Sequence, residues 1–135
     1  MTAAEIDEEI ANFREVQEQL QRTRNDLQLV MQQLTENEMV KQELALLDSS
    51  TNVYKIVGPV LIKNSLEDAN ETVSKRLEFI NGEKKRLEAK NTELETRGNA
   101  IATKVQQMQA NLQQMTAAAV QEIQKQAATA NWWSS

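Results

Sequence analysis

Neither cysteine nor histidine occurs anywhere in the 135 residues of this chain. The absence of cysteine excludes disulfides and thiol chemistry. Without either residue, zinc sites of the usual Cys/His kind and histidine-based acid–base catalysis are excluded as well. Carboxylates are plentiful, but they are spread along polar stretches that offer no pocket to raise a pKa, and no glycine-rich phosphate loop is present. We therefore expect no enzyme, no cofactor and no metal site.

A strong positive charge and long apolar runs are also missing. The formal net charge is −5 at pH 7, which argues against binding to nucleic acid or to anionic membrane surfaces. No apolar run approaches the roughly 20 residues that span a bilayer. The first residues, MTAAE, lack the basic and apolar segments of a signal peptide. The expected location is the cytoplasm, with no membrane partner and no nucleic-acid partner.

Aromatic residues make up only 4% of the chain, which indicates a thin core, and the abundant Gln, Glu, Leu, Ala and Lys are typical of coiled coils. A capping-box pattern at Thr2 and Glu5 begins a first helix predicted over about residues 2–48. Its heptad positions form two lines. One line is Ile6, Phe13, Leu20, Leu27 and Leu34, and the other is Ile10, Gln17, Arg24 and Met31.

A second helix is predicted over about residues 65–127, with Asn64 or Ser65 as its cap. One of its heptad lines is apolar throughout: Leu66, Val73, Ile80, Leu87, Leu94, Ile101, Met108 and Met115. Two such helices favour an antiparallel coiled coil. Residues 128–135 lose the heptad and are predicted to be a mobile tail. The chain is thus predicted to be one all-α domain over residues 1–135, a long coiled-coil helical hairpin.

A short β-like segment, about residues 52–63, interrupts the heptads and contains the only proline. Gly58 and Pro59 suit a two-residue type II′ turn, which would place Val57 opposite Val60 and Ile56 opposite Leu61. Both faces of this β-hairpin would then be apolar, and a hairpin alone is marginally stable in water. Either it folds back on its own helices or it pairs with strands of other chains. We expect pairing with other chains because the helices cannot cover both faces.

Three segments closely resemble the β-class subunits of prefoldin: residues 33–48 (QLTENEMVKQELALLD), 52–63 (NVYKIVGPVLIK) and 73–80 (VSKRLEFI). The strong similarity extends over about residues 33–90. The resemblance implies a fold in which the small β-hairpin lies at the bend of the helices and joins an intersubunit β-barrel. The residues expected to mediate subunit assembly are Val53, Tyr54, Ile56, Val57, Val60, Leu61 and Ile62.

The same resemblance implies a function as an ATP-independent co-chaperone. Prefoldin is a heterohexamer of two α-class and four β-class subunits, so the implied partners are two α-class and three further β-class chains. It holds unfolded proteins, including actin and tubulin, at the tips of its coiled coils and delivers them to the cytosolic group II chaperonin. This chain would act as one of the subunits of that complex.

Client binding is expected at the open ends of the helices, through Ile6, Ile10, Phe13, Met108, Leu112, Met115, Val120 and Ile123. Methionine suits this role because its side chain adapts to varied apolar surfaces. Ordinary packing between the helices is the alternative for these residues. For the whole chain, the alternatives are a structural coiled-coil scaffold or tether that holds no clients, and a prefoldin-like complex with a different, possibly nuclear, assignment.

Overall fold

A computed structural model of the chain describes residues 2–132, and the side chains of residues 2–130. Two long helices, α1 (Ala3–Ala45) and α2 (Leu66–Trp132), are joined by two strands, β1 (Val53–Val57) and β2 (Val60–Asn64). The strands pair antiparallel. The predicted architecture of two long helices and a small β-hairpin is confirmed.

Both helices begin at side-chain caps. At the start of α1, the Thr2 N–H donates to Glu5 Oε2 and the Glu5 N–H donates to Thr2 Oγ1, each at 3.2 Å. This is the predicted capping box, which satisfies backbone N–H groups that the first turn leaves unpaired. At the start of α2, Ser65 Oγ accepts from the Asp68 N–H at 3.0 Å. Of the two predicted caps for α2, Ser65 is therefore the one used.

The ends of both helices differ from the prediction. Helix α1 ends at Ala45 rather than near residue 48, because Leu46 N–H and Leu47 N–H donate to carbonyls three residues earlier, each at 3.2 Å, and tighten the last turn. Helix α2 continues to Trp132 rather than ending near residue 127. Alanine at 127, 128 and 130 favours helix without any partner, and residues 128–132 of the predicted tail are helical. Residues 133–135 of the predicted tail lie outside the described residues.

The chain divides into two compact units. The hairpin unit comprises Gln21–Thr92, and the terminal unit contains α1 up to Leu20 together with α2 from Glu93. In the hairpin unit, buried side chains of α1 and α2 form one apolar cluster, against which Val53 of β1 packs. The cluster consists of Leu34, Leu44, Ala69, Val73, Leu77 and Ile80. Val53 thus fixes the base of the β-hairpin to the helices.

The core of the terminal unit is smaller. Val16 and Leu20 of α1 pack with Leu94 of α2, and Ile101 lies against them. An ion pair also joins the two helices, from Lys104 Nζ to Glu9 Oε1 at 3.1 Å. Because lower numbers on α1 meet higher numbers on α2, the two helix segments run antiparallel in this unit.

The buried face of α1 includes one predicted heptad line but not the other. Ile6, Leu20 and Leu34 are buried as predicted, whereas Gln17, Arg24 and Met31 are exposed and Ile10 is half-buried. The structure buries instead Val16 and Thr23, each one residue before a predicted position, and half-buries Val30, one residue before Met31. Positions three and four residues from a core position both flank it on a helix. Of the two lines that flank the core positions, the more apolar one is buried, so the predicted second line was wrong.

Two glycines in α2 have different surroundings. A Cβ added at Gly82 would meet nothing within 4 Å, whereas one added at Gly98 would lie 3.3 Å from Gln17 Nε2 and 3.6 Å from Val16 Cγ1. We expect Gly82→Ala to raise the free energy of unfolding by about 1 kcal/mol, the helix-propensity difference between the two residues. Gly98→Ala should give a smaller gain because Gln17 must move. Thermal unfolding of the full chain, followed by circular dichroism, measures both.

The paired comparison separates helix propensity from packing. Both substitutions add one methyl group to the same helix, so their propensity gains should match. A gain for Gly98→Ala equal to or larger than that for Gly82→Ala would contradict the close approach of α1 at Gly98.

Candidate functional site

The β-hairpin has the register that the sequence predicts. Val57 lies opposite Val60 and Ile56 opposite Leu61, so Gly58 and Pro59 alone form the loop. Gly58 has a φ of +58°, which is the positive value that a type II′ turn requires at its first central position and that glycine adopts without strain. The loop therefore fixes which side chains share a face of the hairpin.

Apolar side chains cover both faces of the hairpin and remain exposed. Six of the seven predicted assembly residues are between 48 and 74% exposed: Tyr54, Ile56, Val57, Val60, Leu61 and Ile62. The seventh, Val53, is half-buried against the cluster of the hairpin unit. The hairpin is therefore attached to the helices at its base but is not covered by them. Exposed apolar surface of this kind, gathered in one element, marks an interaction site.

The edges of the hairpin are also open. Within residues 2–132 the sheet contains β1 and β2 only, so each strand has one side where its backbone N–H and C=O groups face no other strand. Such edges are templates for pairing with another chain. The hairpin thus offers both the backbone groups and the apolar side chains that strand addition uses.

The second candidate site is the part of α2 that continues beyond the start of α1. In the terminal unit, Glu5, Glu8 and Glu9 of α1 line a shallow cleft with Lys104 and Met108 of α2. Every residue from 113 to 130 is exposed. After about Met108, therefore, α2 loses the helix that covers its apolar face.

The predicted client-binding residues separate into three groups at this end of the molecule. Ile6 and Met108 are only 6 and 7% exposed, and Ile10, Phe13 and Leu112 are half-buried. Met115, Val120 and Ile123 are 46 to 64% exposed. Only this last group is available to another protein without opening the helix pair.

The charged stretch of residues 83–90 forms local pairs on the surface of α2. Arg86 Nη2 donates to Glu83 Oε2 at 2.9 Å, and Lys84 Nζ lies 3.8 Å from Glu88 Oε1. The hydrogen bond from Arg86 holds the pKa of the Glu83 carboxyl below its usual value. Pairs at these spacings are ordinary features of an exposed helix, and they give this stretch a structural explanation.

The described part of the chain contains neither a membrane-spanning helix nor a cluster of metal ligands. No helix in residues 2–132 is long and apolar enough to cross a membrane. Within the same residues, acidic side chains do not gather into a group of three or more that could hold a metal ion.

Comparison with known proteins identifies the family. A family model described as prefoldin subunit matches residues 7–116. This chain belongs to the prefoldin subunit family. It is 40% identical over 119 residues to "Probable prefoldin subunit 6" of Caenorhabditis briggsae, covering 88% of this chain and 93% of that protein. It is 41% identical over 101 residues to prefoldin subunit 6 of Homo sapiens, covering 75% of this chain and 78% of that protein.

A solved structure shows the same fold. The prefoldin beta subunit from Thermococcus strain KS-1 matches with a TM-score of 0.74 at 22% identity, over 76% of this chain and 90% of that chain. The resemblance to prefoldin that the sequence suggested is confirmed, and membership makes this chain a chaperone subunit. Prefoldin is not known as a family of enzymes.

Sequence reasoning missed the surface where the helices meet the outer edge of β1. Val40 of α1 and Arg76 of α2 lie there beside Lys55 and Tyr54 of β1, around one open groove. These residues are far apart in the sequence, and no motif links them. The sequence did indicate that the hairpin is positively charged, since it contains two lysines and no acidic residue.

Proposed function

We propose that this chain is a β-class subunit of a heterohexameric prefoldin complex with two α-class and three further β-class chains. In that complex it holds unfolded proteins, actin and tubulin among them, without ATP and delivers them to the group II chaperonin of the cytoplasm. The single observation that carries the proposal is the β-hairpin, whose exposed apolar faces and open edges belong to a chain of the prefoldin family.

Energetics support assembly through the hairpin. Fully burying a Val, Leu or Ile side chain contributes about 1.5–3 kcal/mol relative to leaving it exposed. In the hairpin of residues 53–64, five such side chains and Tyr54 are at least 48% exposed, so much of this burial free energy is still available to partner strands. Val53 attaches the hairpin to the helices, so part of the conformational entropy of the hairpin is already lost before assembly. Partner strands would therefore bind a surface that is already ordered.

The exposed part of α2 supports client binding. Met115, Val120 and Ile123 lie on a stable helix with no part of α1 beside them. Their contacts with an unfolded chain would each be weak, and the several subunits of a complex would supply affinity through multivalency. Of the eight predicted residues, the proposed client surface therefore keeps these three, with the half-buried Leu112 at its border. It leaves out Ile6 and Met108, which are buried.

A test of this function uses the purified complex containing the full chain. A denatured client such as actin is diluted into buffer with and without the complex, in the absence of ATP, and aggregation is followed by light scattering. We expect suppression at roughly equimolar complex and no further change when ATP is added. A complex that assembles but leaves aggregation unchanged would contradict client holding and would favour the scaffold alternative.

A further inference from the structure

An open groove of about 500 Å³ lies along the outer edge of β1 in the hairpin unit. The strand contributes Tyr54, Lys55 and Ile56, whereas β2 contributes only Asn64 at the base. Val40 of α1 and Arg76 of α2 form part of the opposite wall. The groove therefore combines the unpaired backbone of one strand edge with apolar side chains from both helices.

The charge of this groove is one-sided. Lys55 and Arg76 line it, and no aspartate or glutamate does. Neither side chain forms an ion pair or a hydrogen bond with a described residue. The helix neighbours of Arg76 at three and four residues are Thr72, Val73, Phe79 and Ile80, so none of them can neutralise it. Both cations therefore lie unpaired beside an apolar groove, in a chain whose net charge is −5.

A second copy of the hairpin fits this groove poorly. Residues 53–64 contain Lys55 and Lys63 and no acidic residue. Strand addition by another copy would therefore bring cations to a groove that already has two. Like charges placed together at an interface suppress the wrong partner, and opposite charges favour the right one. The groove is complementary to a strand that carries a carboxylate.

We propose that the groove binds an extended, apolar segment of a different subunit, with at least one carboxylate placed between Lys55 and Arg76. The segment adds to the free edge of β1, and its acidic side chain selects it over a second copy of this chain. The inference rests on the proposed function, because it names the kind of strand that the assembly surface accepts. It assigns partner choice to two side chains rather than to the apolar residues of the hairpin.

The test compares two double variants with the same change in charge. Lys55→Glu with Arg76→Glu reverses the charge of the groove. The control, Lys85→Glu with Lys90→Glu, reverses the charge of two exposed lysines of α2 that do not line the groove. Each full-length variant is mixed with the other prefoldin subunits encoded by the same genome. Assembly and self-association are then measured by sedimentation at low and moderate salt. Circular dichroism verifies that both variants keep their helix content.

We expect the groove variant to assemble about tenfold less tightly or worse at low salt, and to self-associate more than the unmodified chain. Added salt should weaken assembly of the unmodified chain but strengthen assembly of the groove variant, because it screens the repulsion between the new glutamates and the carboxylate of the partner. The control variant should match the unmodified chain. If the groove variant assembles like the control, the inference is overturned while assembly through the hairpin stands. If the unmodified chain self-associates and the groove variant does not, the occupant of the groove is a second copy of this chain, and the inference is again overturned. If the unmodified chain joins no other subunit, the proposed function and the inference fail together.

Discussion

Replacing Ile56 and Leu61 together by lysine should prevent the chain from joining its partner subunits. The two residues lie opposite each other across the hairpin and are 74 and 64% exposed. If partner strands bury both, the loss is about 3–6 kcal/mol, which corresponds to roughly a hundred- to ten-thousandfold weaker association. Lysine on a strand edge also opposes pairing directly. Sedimentation of the full chain mixed with the other subunits measures the effect.

The matched control for this variant is a second pair of exposed apolar residues. Leu29 and Met39 of α1 are each 56% exposed, and their replacement by lysine makes the same chemical change away from the hairpin. The helix content of both variants should remain, since none of the four residues belongs to a buried cluster. Equal loss of assembly in both variants would mean that added charge, rather than the hairpin, is responsible.

Replacing Met115, Val120 and Ile123 together by glutamine should reduce client holding without affecting assembly. Glutamine has a similar helix propensity to methionine, and all three positions are exposed, so α2 should keep its stability. The complex would lose one of several weak contacts with the client. Because such contacts act together, we expect about a three- to tenfold higher concentration of complex for the same suppression of aggregation.

The same segment of α2 supplies the control for this prediction. At 3.6 residues per turn, Ala110 and Ala128 lie on the side of the helix away from the three apolar residues, and both are exposed. Their replacement by glutamine should leave suppression unchanged. Unchanged suppression in the first variant as well would remove this part of α2 from client binding.

The hairpin could be predicted from the sequence because its constraints are local. A two-residue loop at Gly58 and Pro59 allows one register, and that register determines which side chains share a face. The second heptad line of α1 could not be predicted in this way. Ile10 and Val16 flank Phe13 on different sides, and only the position of α2 decides which side is buried.

The client-binding surface was predicted too broadly for a related reason. Heptad spacing in α2 is the same at Met108, which is buried, and at Met115, which is exposed. Periodicity shows which face of α2 is apolar, but not where α1 stops covering it. That limit depends on the lengths of the two helices, 43 residues for α1 and 67 for α2. The extension of α2 to Trp132 was missed because alanine sustains a helix after the heptads end.

The groove beside β1 depends entirely on tertiary structure. Val40, Lys55 and Arg76 come from three different elements, and each is unremarkable in its own segment. Only the attachment of the hairpin through Val53 brings them to the same surface. The sequence could indicate that the hairpin needs partner strands. The charge that those strands should carry could be inferred only from the folded structure.

The mass of the assembly tests the central claim most directly. The purified full-length chain is mixed with the other prefoldin subunits encoded by the same genome, and the products are weighed by native mass spectrometry. The account predicts one six-chain complex that contains this chain and forms only when its hairpin is intact. A chain that remains by itself in the presence of all the other subunits would contradict the account.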